Sequence, residues 1–302
     1  MKGLSCNSNI LSALSLEEAI EVVAELGYQA IDINAEVSPP FLPVPPPHLT
    51  PAADVNRRRK VRRCAEEAGV VIAALNGGAN LIHGVPETRQ ANLQAVKRAV
   101  ELASDLGVPY VVLGGGHKDF YGRESQYWEW LVAALRELVA YGSHLGVTIA
   151  VEAGSLPGRL VHNLDRMRKL LSYSGLERLG VLFDPGHYHV RGDSVVAAYS
   201  ALSERVVHVH AKDARGNAED FEFPPLGMGE IDFEDLLGAM VAANYPNYIA
   251  VEYEAFAWGY ETDAKRILSD SKYFLEGILS SKVRSGQEAN PRVSEGYGLT
   301  TG

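Results

Sequence analysis

Residues 181–213 read VLFDPGHYHVRGDSVVAAYSALSERVVHVHAKD. Two short apolar runs, Val181-Leu182-Phe183 and Val206-Val207-His208-Val209, each stop at a residue able to bind a metal, Asp184 and His210. A helical segment separates them, as two neighbouring parallel strands require. Upstream, Ile149-Ala150-Val151 runs into Glu152, and downstream Ile249-Ala250-Val251 runs into Glu252. Four successive strands would thus carry Glu, Asp, His and Glu to one end of a sheet. Three carboxylates and one imidazole make an oxygen-rich set suited to a hard divalent cation.

The same grammar extends outward. An amphipathic helix, a glycine and a β-rich run recur at Gly27, Gly69, Gly107, Gly146 and Gly180. A glycine just past a helix takes the left-handed conformation that caps the last carbonyls. Ser15 with Glu18 three residues on reads as a capping box, and Leu16, Ile20, Val23 and Leu26 keep helical spacing behind it. Eight β-rich runs follow one another, near 4–9, 30–34, 70–75, 109–113, 148–152, 180–184, 206–210 and 248–252. Eight βα units in series point to an α/β chain forming a single-domain (β/α)₈ TIM barrel over residues 1–282; the competing architecture is an open doubly wound sheet.

The totals agree. A chain of 302 residues, 46% hydrophobic and 22% charged, is normal for one such barrel. A net charge of −10 disfavours nucleic acid or an anionic membrane as partner. The basic run Arg57-Arg58-Arg59-Lys60 with Arg62-Arg63 reads as a solvated helix face. Cys6 and Cys64 match no metal or disulfide spacing. With no signal peptide and no apolar run near 18 residues, a soluble, cytoplasmic chain is expected.

Three segments break the rhythm. Residues 38–51 hold seven of the fifteen prolines and suit either a stiff surface connection or a lid or subunit contact beside the site. Gly114 to Trp130 carries Phe120, Tyr121, Tyr127, Trp128 and Trp130, to wall a substrate pocket or to pack a helix start. Residues 283–302 read as a C-terminal tail, disordered or reaching a partner, and a homo-oligomer is expected.

A lone carboxylate after a strand is usually a cap or a rim ion pair, and a lone histidine among valines is usually a core residue. The joint pattern is different, because the C-terminal strand ends of a parallel barrel converge on one mouth. Three carboxylates there repel one another unless a cation neutralises them. Parity puts Val206, His208 and His210 on one strand face, with His208 a layer deeper as a hydrogen-bonded core residue.

The turn DPGH (184–187), Gly192-Asp193, HVHAKDA (208–214), PLGMGEIDF (225–233) and AVEYE (250–254) resemble the sugar isomerase/epimerase superfamily. This is the xylose-isomerase-like barrel group that includes ketose 3-epimerases such as D-tagatose 3-epimerase. The resemblance spans most of residues 1–280 and is most specific in the C-terminal half. It implies that Glu152, Asp184, His210 and Glu252 hold one divalent ion: manganese first, then cobalt, magnesium or zinc. It further implies that Glu152 and Glu252 double as acid/base groups and that His187 contacts substrate oxygens. An arginine shortly after the metal histidine holds substrate in the epimerases; Arg215 lies near that place, and Lys212 competes for the role.

Such a site would work beside a carbonyl. One carboxylate removes the weakly acidic neighbouring proton and a second returns it from the other face, while positive charge stabilises the enediolate. Redelivery to the adjacent carbon would give isomerisation instead. The expected partner is therefore a small sugar or keto-cyclitol. Rival readings are a dehydratase using the same metal and base, an apurinic-site endonuclease of the same superfamily (disfavoured by the acidic charge) and a non-catalytic binding barrel. Asn34, Glu36, Asn76, His48 and His117 are lesser candidates that loop chemistry also explains. No glycine-rich phosphate cradle follows a strand, which points to unphosphorylated substrates.

Overall fold

The computed structural model describes residues 1–36, 46–119, 122–254, 258–260 and 262–288, with side chains described to 282. Eight parallel strands close into a barrel: β1 (Gly3–Asn7), β2 (Ala30–Asn34), β3 (Val71–Asn76), β4 (Tyr110–Gly114), β5 (Thr148–Glu152), β6 (Gly180–Phe183), β7 (Val206–Ala211) and β10 (Tyr248–Val251). They follow one another in chain order, and β1 pairs with β10 to shut the ring. The open sheet is thereby excluded. Between them run α1 (Leu16–Glu25), α2 (Val55–Ala68), α3 (Pro86–Leu106), α4 (Glu124–His144), α5 (Leu164–Leu171), α6 (Pro185–Val190), α7 (Val195–Leu202) and α8 (Phe233–Ala242). A short antiparallel hairpin, β8 (Arg215–Gly216) with β9 (Phe221–Glu222), rises from the loop after β7. The last helix, α9 (Ala264–Glu288), continues past the boundary expected at 282, and residues 289–302 lie outside the described residues.

Local sequence explains most of these boundaries. Ser15 and Glu18 form the capping box of α1. Gly27, Gly69, Gly107 and Gly146 sit at positive φ at or just past helix ends, where a side chain would be strained. Gly180 departs from that rule. It is the first residue of β6, and α5 ends nine residues earlier at Leu171. Space, not dihedral freedom, requires glycine here: a Cβ would lie 2.6 Å from Val207 Cγ2 on β7.

Most apolar burial lies between strands and helices. Inside the barrel Ala74, Val112, Ala150 and Leu182 pack together, one layer below the C-terminal mouth. Ala150 and Leu182 are two residues before Glu152 and Asp184, so strand alternation aims both carboxylates into the mouth. The basic run on α2 is a paired surface, with Arg57 and Lys60 on Glu17, Arg58 on Asp105 and Arg62 on Glu66. Cys6 and Cys64 are free thiols. Among the described residues no helix is long and apolar enough to cross a membrane. Most of the proline-rich segment, residues 37–45, lies outside the described residues.

Gly180→Ala should destabilise the barrel by about 1–3 kcal/mol through overpacking against Val207. A chemical-denaturation midpoint equal to that of the unmodified chain would show that β6 and β7 can separate at no cost.

Candidate metal and active site

Each ligand candidate arrives at the mouth by the same device. Glu152 ends β5, Asp184 follows β6 and caps α6, His210 is the penultimate residue of β7, and Glu252 follows β10. Asp184 Oδ1 accepts a hydrogen bond from Gly186 N at 2.8 Å, which leaves Oδ2 for the mouth. One ligand atom from each of the four residues lies within 4.8 Å of every other. His210 Nδ1 is 2.8 Å from Glu252 Oε2 and 3.4 Å from Glu152 Oε1. Asn7 Nδ2 donates to the other oxygen of Glu252 at 3.0 Å.

Lys212 enters the same space. Its buried ammonium lies 2.9 Å from Glu252 Oε2, 3.3 Å from Asp184 Oδ2 and 3.4 Å from Glu254 Oε2. One ammonium faces four carboxylates when Glu152 is included, so negative charge remains in excess. Burial, with Glu152 and Glu252 nearby, pushes Asp184 up to about 8 despite Lys212. Burial raises Glu252 as well, but His210 and Lys212 outweigh it and hold that carboxyl well below its usual range. Glu152 Oε1 and Asp184 Oδ2 are buried without a hydrogen-bond partner. Orphaned acceptors beside uncompensated charge are what a divalent cation satisfies, so the four residues form a possible metal site.

Below this layer lies a residue absent from the sequence-based candidates. Asp32, at the centre of β2, is fully buried; Ser5 Oγ donates to its Oδ1 at 2.7 Å, and His208 bonds its Oδ2. His210 Nε2 lies 3.4 Å from the same Oδ2. Burial raises Asp32, but the His208 and His210 imidazoles outweigh it and hold its pKa at about 2. His208 is thus the deeper hydrogen-bonded layer residue that parity predicts, stacked on Tyr110. An inward-facing Asp between Ile31 and Ile33 was the available signal: burial there demands partners.

The remaining candidates divide. His187 stands over the site, with Nε2 at 3.6 Å from Asp184 Oδ2 and Nδ1 at 3.0 Å from Ser155 Oγ. Burial, then the charge of Lys212, holds it neutral with a pKa of about 3. Asp213 does not pair with Lys212. It accepts from the backbone of Ala214, Gly227, Gly229 and Ile231, and so shapes the PLGMGEI loop. A Cβ on Gly229 would lie 2.1 Å from Asp213 Oδ1, which accounts for the glycine. Arg215 is in the hairpin, paired with Glu222 and hydrogen-bonded to Tyr260. Asn34 Oδ1 accepts from Glu36 N in a local turn, and His48 Nδ1 sits on Ser8 Oγ.

Of the two readings of Gly114 to Trp130, helix packing is the one seen for Tyr127 and Trp128. Tyr127 and Trp128 are buried on α4, where Tyr127 packs edge-on to Trp130 and Trp128 stacks on Tyr173; Phe120 and Tyr121 lie outside the described residues. Phe223 instead packs edge-on to His187 at 5.4 Å and beneath the Lys212 ammonium at 4.9 Å, backed by Trp258 and Phe221. Isolated aromatics in an irregular stretch carry no periodic signal.

The family model described as xylose isomerase-like TIM barrel matches residues 20–276. The chain is 23% identical over 246 residues to a fructoselysine 3-epimerase of Shigella flexneri, covering 79% of this chain and 85% of that one. It is 31% identical over 131 residues to an inosose dehydratase of Lactiplantibacillus plantarum, covering 38% of this chain and 40% of that one. A solved D-tagatose 3-epimerase-like protein superposes with a TM-score of 0.77 at 20% identity, over 94% of this chain and 99% of that one.

If the four residues hold a divalent ion, Asp32→Asn should weaken its binding about 10- to 100-fold, because a carboxylate behind a ligating histidine fixes its ring and tautomer. Titration calorimetry reads this directly. Unchanged affinity would mean that Asp32 serves His208 alone.

Proposed function

The chain belongs to the xylose isomerase-like TIM barrel family, and from that starting point we propose that it is a metal-dependent sugar epimerase or isomerase. The observation that carries this reading is the placement of two carboxylates, Glu152 and Glu252, on strands flanking the Asp184/His210 pair. A divalent ion held by Glu152, Asp184, His210 and Glu252, manganese by preference, would supply positive charge where negative charge develops on the substrate oxygens. The similarity to a fructoselysine 3-epimerase across most of both chains supports a keto-sugar substrate.

The residues have distinct tasks. Glu152 is the more accessible carboxylate, with 21% of its side chain exposed against 10% for Glu252. Burial raises Glu152, yet the His210 imidazole 3.4 Å away holds it below its usual range, so it is ionised and ready to accept a proton. Glu252, fixed by Asn7, His210 and Lys212, approaches from the other side of the mouth. Proton removal by one carboxylate and return by the other inverts the carbon next to the carbonyl. Neutral His187, held by Ser155, donates to a substrate oxygen, and Lys212 steadies Glu252 and Asp184. The Phe223 face gives a sugar ring an apolar surface to lie against.

A second reading, loss of water from a keto-cyclitol, is favoured by the similarity to inosose dehydratase within part of the chain. The same base begins both reactions. Product analysis with free ketoses against a keto-inositol separates them.

Glu152→Gln and Glu252→Gln should each lower turnover by about 10²- to 10⁴-fold with circular dichroism unchanged. Exchange of the substrate proton next to the carbonyl with deuterated solvent is the direct measurement. Exchange at the unmodified rate in both variants would remove these carboxylates from the chemistry.

A further inference from the structure

One cation at the barrel mouth has no assigned work. Arg159 belongs to the loop after β5, and that loop is pinned to the loop after β4. His117 and Arg159 form an isolated antiparallel bridge, Leu160 N donates to Gly116 O at 2.9 Å, and Lys118 N donates to Gly158 O at 2.8 Å. The backbone carrying Arg159 is therefore held in place. Its side chain lies across the ends of β4 and β5. A Cβ on Gly114 would come within 3.1 Å of Nη1, and one on Gly154 within 3.0 Å of Nε. Gly114 pairs in register with the ligand Glu152, and Gly154 follows it by two residues. Two glycines thus open a groove in which the arginine lies beside the metal layer.

Among the described residues the guanidinium in that groove has no partner at ion-pair distance, although its charge is felt by Glu36 after β2. Its Nε is buried without a hydrogen-bond partner. Its neighbours differ: Arg166 pairs with Glu124, and Arg191 donates to Ser155 O. A half-buried cation that the protein leaves unpaired, although acidic groups crowd the same mouth, is free to take its counter-ion from solution. Topology sets its direction. In the ring β1-β10-β7-β6-β5-β4-β3-β2, strand β4 stands opposite β10, which leads to Glu252 and Glu254. A substrate spanning the mouth would meet Glu252, Glu254 and Lys212 on one side and the Arg159 guanidinium, beside Glu152, on the other.

We propose that Arg159 is a specificity-determining residue that binds an anionic group, a carboxylate or a phosphate, carried by the sugar away from its reacting carbon. The planar guanidinium fork matches two oxygens on one centre, which a hydroxyl cannot supply. The substrate class is accordingly an acidic keto sugar or an acid-bearing sugar conjugate. This assignment rests on the keto-sugar reading of the site above.

The test compares three probes on the manganese-loaded protein by titration calorimetry: D-tagatose, D-tagaturonate and D-tagatose 6-phosphate. An anionic probe should bind about 10- to 100-fold more tightly than tagatose, as a charged hydrogen-bonded pair allows. Arg159→Gln should bring that ratio to about one, and Arg159→Lys should keep part of it. Gly154→Ala, which displaces the arginine while leaving it in the chain, should also lower it. Tighter binding of the uronate assigns a carboxylate, and tighter binding of the ester assigns a phosphate. Equal binding of all three probes, no binding of either anion, or a preference that survives Arg159→Gln overturns the proposal. Proton exchange in deuterated solvent, followed on the same probes, tests the reaction separately. Preference without exchange leaves the anion site standing and removes the proton-transfer reading; exchange without preference does the reverse.

Discussion

Repulsion among carboxylates confined to one barrel mouth is the constraint on which the rest of the structure depends. Glu152, Asp184, Glu252 and Glu254 are drawn together by strand geometry, and the interior offers them too little solvent to share. Lys212 offsets one charge, and buried oxygens on Glu152 and Asp184 remain unsatisfied. A cluster like this is unfavourable by itself and becomes favourable around a divalent ion. Against that repulsion His210 and Lys212 keep Glu252 ionised and His210 keeps Glu152 so, which is what proton abstraction needs.

Around that cluster the structure is organised in layers. Ser5, Asp32 and His208 form a polar layer under the ligands and hold His210 from behind. Beside it, Ala74, Val112, Ala150 and Leu182 fill the barrel with apolar volume. Above it, Asp213 gathers four backbone N–H groups to fix the loop after the hairpin, and Phe223 rests against His187 and Lys212. Rigidity below and beside the ligands is what fixes their separation, since a ligand on a loose support would not hold its position against like charges.

The mouth is also asymmetric. Asp184, Glu252, Glu254 and Lys212 gather over β6, β7 and β10, while on the β4 and β5 side Arg159 lies beside Glu152. An acidic chain of net charge −10 would not attract an anionic ligand by its overall field. A single half-buried guanidinium acts at short range instead, where geometry and not net charge decides binding.

The sequence by itself determined the eight-fold repeat and the order in which Glu152, Asp184, His210 and Glu252 occur. Both follow from local rules: alternation along a strand fixes which face a residue takes, and parallel strands bring their ends to one side. His208 as a buried layer residue followed from the same parity. Only the tertiary structure decided the contacts made between distant segments. It closed the ring through β1 and β10, set Asp32 behind His210 and brought Phe223 and Trp258 into the wall. It gave Gly180 a packing role against Val207, put Lys212 among carboxylates and left Arg159 unpaired over two glycines. Those roles depend on which side chains meet across the barrel, and no spacing along one segment encodes that meeting.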